Sequence, residues 1–288
     1  MPKVAQHRVY GMLFNGWTNA HFIMKETDCL ICPLPMFHVF AAYPILMTCI
    51  LSGAHMVMPT PQGYRGDGVF KNFWKLIERW KVTFIVMVPT AATQLMQHKV
   101  DADVSTLRYA LCGSSPLPIE LFKRFQETTG VEIIEGYGMT EATGGITMTP
   151  PSDYHDDSVG KPLPGIELKL ADDNELLMRG PYVSPGYFKE EIKGSFTDGW
   201  FHTGDIFKRK KGHYFIVDRK KEIYKNTRGQ TISPQKIENL FQDFETIKSV
   251  FLIGDGKEFN TVLIYPDPKN DIIDIENMSS KEIRTYFS

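Results

Sequence analysis

Little in this chain is extreme, and the shortages exclude more than the abundances suggest. It has only 4 cysteines in 288 residues, Cys29, Cys32, Cys49 and Cys112. That is too few for a disulfide scaffold, and the Cys29/Cys32 pair has no second Cys/His pair to complete a zinc set. The run Asp28-Cys29-Leu30-Ile31-Cys32-Pro33 reads as a buried strand ended by proline, with free thiols in a reducing compartment. No long apolar run exists either. The greasiest stretch, Val39 to Leu51, contains Pro44 and falls short of the ~20 residues of a spanning helix, so it reads as core. Charge of one sign is not in excess: the formal net charge is -2, which gives no electrostatic reason to expect nucleic acid or an acidic membrane as partner. No basic segment followed by an apolar run opens the chain, so a cytoplasmic location is expected, with peripheral membrane contact left open. There is no internal repeat. No Gly-x-Ser-x-Gly elbow occurs, and Gly113-Ser114-Ser115 is not one, which disfavours a hydrolase.

What is present is alternation of helix and strand signals. A helix is expected over Tyr10 to Met24, then strands at Cys29–Cys32 and His55–Met58. Phe70, Phe73, Trp74, Ile77 and Trp80 fall at helical spacing, and the β-branched run Val82–Val88 ends at Pro89. Tyr109–Cys112 reads as a strand and Ile119–Thr128 as a helix. This order implies a layered α/β sheet over residues 1–150. From 151 to 217 the texture changes to short extended pieces between glycines and prolines (Ile166–Leu170, Glu175–Met178, Gly199–His202, His213–Val217), a small β-rich unit. The Lys208–Lys211 run before Gly212 reads as the exposed tip of a hairpin. Asp218-Arg219-Lys220-Lys221-Glu222 reads as a polar connector or hinge into a third part, 218–288. That part has a helix at Ser233–Phe241 begun by a serine cap and Pro234, strands at Val250–Ile253 and Thr261–Tyr265, and a helix at Ser280–Phe287.

Three segments carry candidate chemistry. Glu135-Gly136-Tyr137-Gly138-Met139-Thr140-Glu141 follows a strand at Val131–Ile134; its glycines admit close backbone approach, and its hydroxyl and carboxylate suit phosphate and magnesium. In Trp200-Phe201-His202-Thr203-Gly204-Asp205, the carboxylate suits the two hydroxyls of a ribose. Arg219, Lys220, Lys221, Lys225 and Arg228 suit developing phosphate or carboxylate charge. Each also has an ordinary reading: a glycine turn, a Gly-Asp turn, a solvated charge run. His38 suits a general base but belongs to no triad.

In order and spacing these segments, with Pro33–His38, Val159–Gly165 and Arg179–Tyr187, resemble the adenylate-forming superfamily of acyl-CoA synthetases, luciferases and peptide-synthetase adenylation domains. The run Asp218–Ile223 and Ile232-Ser233-Pro234-Gln235 look most like long-chain fatty-acid:CoA ligases. The resemblance implies a carboxylate attacking the α-phosphate of ATP to give acyl-AMP, from which the CoA thiol displaces AMP. It assigns Gly113, Ser114, Ser115, Gly136, Tyr137, Gly138 and Met139 to the nucleotide, Tyr137 stacking on adenine. Thr140 and Glu141 would hold phosphate, with Mg2+ on Glu141. Asp205 and Arg219 would bind the ribose, Ile216 would pack near the nucleotide, Lys221 would be the hinge and Lys225 would act in thioester formation. His38 would border the acyl pocket. The substrates implied are a fatty acid, ATP and CoA, and residues 218–288 would be part of a mobile α+β lid. Met1-Pro2-Lys3 resembles the tail of the family's phosphate loop, no counterpart of the lid's adenylation lysine is found before Ser288, and Asn174 stands where the family has glycine. The expectation is therefore a chain shortened at both ends and inactive alone. The alternatives are a nucleotide- or partner-binding remnant, or a ligase for an aryl or amino acid.

Overall fold

The computed structural model describes residues 4–188, 195–227, 229–241, 244, 246–267 and 277–287. These form two compact units, one comprising Met1–Thr203 with Phe207–Ile216, the other Gly204–Ile206 with Val217–Ser288.

The first unit begins with α1 (Val9–Phe22), β1 (Cys29–Ile31), α2 (Leu46–Ser52), β2 (His55–Val57), α3 (Val69–Trp80), β3 (Phe84–Met87) and α4 (Pro89–Met96). It continues with β4 (Tyr109–Cys112), α5 (Ile119–Thr129), β5 (Glu132–Met139), β6 (Gly144–Met148) and β7 (Lys161–Pro162). The seven strands make one sheet in the order β2-β1-β3-β4-β5-β6-β7. It is parallel from β2 to β5, where all four residues of β3 and the last three of β4 are buried, which is why these strands are continuous apolar runs. β6 and β7 then pair antiparallel. α3 turns Phe73, Trp74 and Ile77 inward, as its spacing predicts.

The apolar run before β2 is helical despite Pro44. Ala41–Ile45 forms a π turn with Pro44 inside it and passes directly into α2. The wider turn relieves the clash that a proline ring causes in a regular α-helix. All four cysteines are free and buried. Burial pushes the Cys32 thiol up to about 11 and the Cys49 thiol to about 12, so both are inert as nucleophiles at neutral pH.

A largely buried ion pair links the start of β4 to the start of β1 across the intervening β3. Arg108 Nη1, just before β4, lies 2.6 and 2.7 Å from the two carboxylate oxygens of Asp28, just before β1; Thr83 Oγ1 donates to Asp28 at 2.8 Å and the Lys25 N–H at 2.7 Å. Burial alone would raise the Asp28 pKa, but these donors outweigh it and hold the carboxyl below its ordinary value. A depressed carboxyl stabilises above its unfolded pKa and loses that contribution as the pH falls through its folded pKa. Asp28→Ala is expected to cost roughly 2 kcal/mol at pH 7, since Arg108 keeps some access to solvent. Urea denaturation at pH 7 and pH 3 should show the deficit shrinking at the lower pH.

The same unit holds β8 (Glu167–Leu170), β9 (Glu175–Arg179), β10 (Phe196–Thr197) and most of β11 (Trp200–Lys210) and β12 (His213–Arg219), in the order β10-β11-β9-β8 with β12 beside β11. In β8 the outward Glu167 and Lys169 alternate with half-buried Leu168 and Leu170, as expected. Asn174, in the turn between β8 and β9, has φ +66°, a left-handed conformation that asparagine tolerates, so the departure from glycine is accommodated. The hairpin tip is at Lys211-Gly212, with φ of 52° and 84°, and Lys208–Lys210 are its exposed arm.

The second unit contains β13 (Tyr224–Lys225), β14 (Thr231–Ile232), α6 (Pro234–Glu238), β15 (Ile247–Ile253), β16 (Thr261–Pro266) and α7 (Ser280–Tyr286), with β13/β14 and β15/β16 as antiparallel pairs. Three expectations are corrected here. Asp218 is not part of an exposed connector: it is 1% exposed, the Arg219 N–H donates to it at 2.6 Å, and the Ser233 hydroxyl also bonds it. Ser233 does not cap α6 with its side chain; its hydroxyl is committed to Asp218 and to the Val217 carbonyl, 3.0 Å away. The Asp218 carboxylate instead approaches the Gln235 N–H at 3.4 Å, so the cap comes from a residue distant in sequence. The helix is also shorter than expected, giving way to a 3-10 turn at Asn239–Phe241.

Candidate active site

Strands β1, β3, β4 and β5 run parallel, so their carboxyl ends lie along one edge of the sheet, the edge at which open α/β sheets bind ligands. β4 leads into Gly113-Ser114-Ser115 at this edge. Cys112 pairs with Glu135, so Gly113 follows in register beside Gly136; a Cβ on Gly113 would sit 3.2 Å from the Gly136 carbonyl and 3.6 Å from the Phe40 ring. Gly113 is buried while Ser114 and Ser115 are exposed, and Ser114 has φ +74°, a strained conformation for serine of the kind that collects at ligand sites. His38, exposed, lies beyond the end of β1, where its Nδ1 accepts the Phe40 N–H at 3.2 Å.

The glycine-framed segment is not a loop. β5 continues from Glu132 through Gly136, Tyr137 and Gly138 to Met139, pairing with β6 across a register irregularity between Tyr137 and Gly138. The reason is steric. A Cβ on Gly138 would stand 2.2 Å from the Gly144 carbonyl oxygen, so only glycine lets the two backbones approach this closely. The turn comes one step later, as a 3-10 turn at Thr140–Ala142, with Thr140 exposed and Glu141 half-buried. Tyr137 is 9% exposed and packs edge-on against Phe207 at 4.9 Å, and Ile216 packs against the same cluster.

Glu141 is anchored by contacts that the sequence did not disclose. The Tyr187 hydroxyl donates to its Oε1, and the Ser184 N–H donates to its backbone carbonyl at 2.6 Å. Next to it, the Thr143 hydroxyl donates to the Tyr182 carbonyl at 2.7 Å and lies 3.2 Å from His7 Nδ1. Burial lowers the His7 pKa, partly offset by the Glu141 charge. Tyr187 is 46 positions from Glu141, and no local spacing could have announced the contact.

In the second unit, Gly204 and Asp205 lie inside β11, not in the Gly-Asp turn of the ordinary reading. Gly204 has φ +75° and its carbonyl accepts the Lys220 N–H at 2.8 Å. Asp205 is 7% exposed, and Arg219 Nε lies 3.5 Å from its Oδ1. These two sequence-predicted residues are thus brought together. Lys221 is exposed, in a turn closed by the Glu222 and Ile223 N–H groups on the Arg219 carbonyl at 3.0 and 3.1 Å. Lys225 is exposed in β13, opposite Thr231. Arg228 and the Met1-Pro2-Lys3 segment lie outside the described residues.

With a layered sheet carrying glycine-bearing strand ends and an acidic turn, the protein has the architecture of nucleotide-handling α/β enzymes. The family model described as AMP-binding enzyme matches residues 1–188, and the chain belongs to that family. The marinolic acid–CoA ligase of Pseudoalteromonas sp. (strain SANK 73390) is 32% identical over 285 residues, which covers 88% of this chain and 42% of that protein. Long-chain-fatty-acid–CoA ligase 6 of Rattus norvegicus is 34% identical over 232 residues, 70% of this chain and 33% of that one. The O-succinylbenzoate coenzyme A synthetase of Bacillus subtilis, solved with ATP and a magnesium ion, superposes with a TM-score of 0.79 at 25% identity, over 99% of this chain and 60% of that one. The chain therefore spans less than two thirds of the length of these relatives. Among the described residues no helix is long and apolar enough to cross a membrane.

Proposed function

We propose that this chain carries the nucleotide- and acyl-adenylate-handling part of an acid–CoA ligase, and that a long-chain fatty acid is its carboxylic substrate. The observation that carries the reading is the pairing of Asp205 with Arg219: a nearly buried carboxylate, in a strand opened by a positive-φ glycine, with a guanidinium beside it. A carboxylate so held suits two vicinal hydroxyls, and the neighbouring cation suits a phosphate-bearing ligand.

The first unit has donors of its own that suit magnesium and phosphate. Thr140 and Glu141 offer hard oxygen ligands, Glu141 with its carboxylate orientation set by Tyr187. Bound there, magnesium would supply charge neutralisation to the phosphates. Gly113–Ser115 and Tyr137 would line the adenine, and Ile216 would pack near it. Lys221 as the hinge and Lys225 in thioester formation, with CoA as the second substrate, complete the assignment. The acid is the narrower part of the reading. The relatives act on marinolic, long-chain fatty and succinylbenzoic acids by their names, and the long-chain choice rests on Asp218–Ile223 and Ile232–Gln235.

Equilibrium dialysis of the purified chain with Mg-ATP tests the nucleotide reading. Asp205→Asn keeps the shape but loses the charge and is expected to weaken binding about tenfold. Equal affinity in the two proteins would remove the basis of the proposal. Binding of stable acyl-adenylate analogues carrying hexadecanoyl, benzoyl or aminoacyl groups to the purified chain tests the acid class, and tight binding confined to the aryl or aminoacyl analogues would reject the long-chain assignment.

A further inference from the structure

The stretch between β6 and β7 carries Asp153 and His155, and β12 opens with His213. Their donor atoms all lie within 4.8 Å of one another, and none of the three is among the residues assigned to the nucleotide. His155 Nε2 is 3.5 Å from Asp153 Oδ1, and His213 Nε2 is 3.2 Å from Asp153 Oδ2. Metal–ligand bonds of ~2.0–2.2 Å in tetrahedral geometry put neighbouring ligand atoms roughly 3.3 Å apart, and both contacts, each to a different Asp153 oxygen, are near that spacing.

His213 has a buried partner on its other ring nitrogen. His213 is 1% exposed and its Nδ1 lies 3.0 Å from Ser158 Oγ. That hydroxyl accepts the Gly160 N–H at 3.0 Å and lies 3.3 Å from the Tyr214 carbonyl, to which its only hydrogen can go. With the hydroxyl hydrogen on the Tyr214 carbonyl, Nδ1 is the donor to Ser158 and the Nε2 lone pair faces a carboxylate oxygen. In that tautomer two acceptors lie 3.2 Å apart and a cation between them satisfies both. An imidazole oriented through its other nitrogen by a buried hydroxyl is the arrangement found behind metal-binding histidines.

We propose that Asp153, His155 and His213 form a site for a borderline divalent transition ion, zinc foremost, which clamps the segment between β6 and β7 onto the start of β12. Two imidazoles and one carboxylate match the donor preference of zinc, and water completes the shell. The side chains of Asp153 and His155 are 37% and 46% exposed, which gives the ion an entry path. Lys161 is the competitor. Its Nζ lies 2.6 Å from Asp153 Oδ2 and occupies the charge that the ion would take, but its side chain is 43% exposed and free to swing into water. Zinc and the Lys161 ammonium are therefore alternative cations on one carboxylate, and zinc binding displaces the lysine.

The test is competition titration of the tag-free 288-residue chain with zinc against a chromophoric chelator, with cobalt substitution to read coordination from its visible bands. One zinc per chain is expected, with tetrahedral cobalt bands. His155→Ala, at an exposed position that leaves the core intact, should weaken zinc at least about tenfold, and Lys161→Met should tighten it about threefold or more. A zinc affinity unchanged in His155→Ala overturns the site, leaving a proton as the bridging cation; so does a Lys161→Met affinity that fails to rise. The readout is independent of ligase activity, so it stands or falls apart from the nucleotide reading.

Discussion

Glu135→Gln is expected to make the protein more stable than the wild type, by an amount that grows with pH and reaches roughly 3–5 kcal/mol near pH 8. Glu135 is 6% exposed in β5, one residue before Gly136. Burial, with the Asp157 charge adding to it, pushes its carboxyl from 4.5 to about 8, against the pull of a hydrogen bond from the Leu117 N–H. The raised pKa determines the sign. Below pH 4.5 folded and unfolded chains are both protonated at this position and nothing is lost. Between 4.5 and 8 the folded protein holds a proton that the unfolded chain has released, so stability falls as the pH rises, and above 8 the full deficit is present. Glutamine keeps the acceptor for Leu117 and removes the titration. Urea midpoints for both proteins at pH 5, 7 and 8.5 check this; a gap that stays constant with pH would show that Glu135 ionises freely in the fold. That a costly acid sits in β5 against the 113–117 segment is consistent with a site traded against stability.

The parts of the fold that were legible in the sequence are those whose physics is local. α3 announced itself because Phe73, Trp74 and Ile77 recur at helical spacing, and β3 and β4 because a parallel strand buried on both faces must be apolar throughout. α4 was missed because Pro89 was read only as the end of a strand, when a proline is equally the first residue of a helix. β6, Gly-Gly-Ile-Thr-Met, opens with two glycines that weaken the strand signal of Ile146 and Thr147, and it is held by pairing with β5 and β7. Within the candidate site, Gly113–Ser115, Tyr137, Thr140, Glu141 and Asp205 were visible as motif residues in a family resemblance. Their partners were not, because Tyr187 on Glu141, Ser233 on Asp218 and the Leu117 N–H on Glu135 are contacts made by the fold. A polar residue in sequence is silent about whether it will be buried. Asp218, read as solvated and found at 1% exposure, is the clearest instance.

Gly138→Ala should cost about 3 kcal/mol or more, because the added methyl has nowhere to go. It would lie 2.2 Å from the Gly144 carbonyl oxygen, 2.8 Å from its carbon and 3.1 Å from the Gly145 Cα, all backbone atoms that cannot rotate aside. Relief requires β5 and β6 to separate at the irregularity between Tyr137 and Gly138, which moves the Thr140–Ala142 turn that follows. Gly136 is the internal control. It is in the same strand, but its added methyl would meet only the Thr147 carbonyl at 3.2 Å, so Gly136→Ala should cost about 1 kcal/mol or less. Chemical denaturation of the two variants separates a steric origin from a general loss of backbone freedom. If the two cost the same, close approach of β5 and β6 is not what glycine provides at position 138. If Gly138→Ala is the more damaging and also weakens Mg-ATP binding by the surviving folded protein, then backbone proximity in this pair of strands positions the acidic turn, and the glycine serves the site through its lack of a side chain.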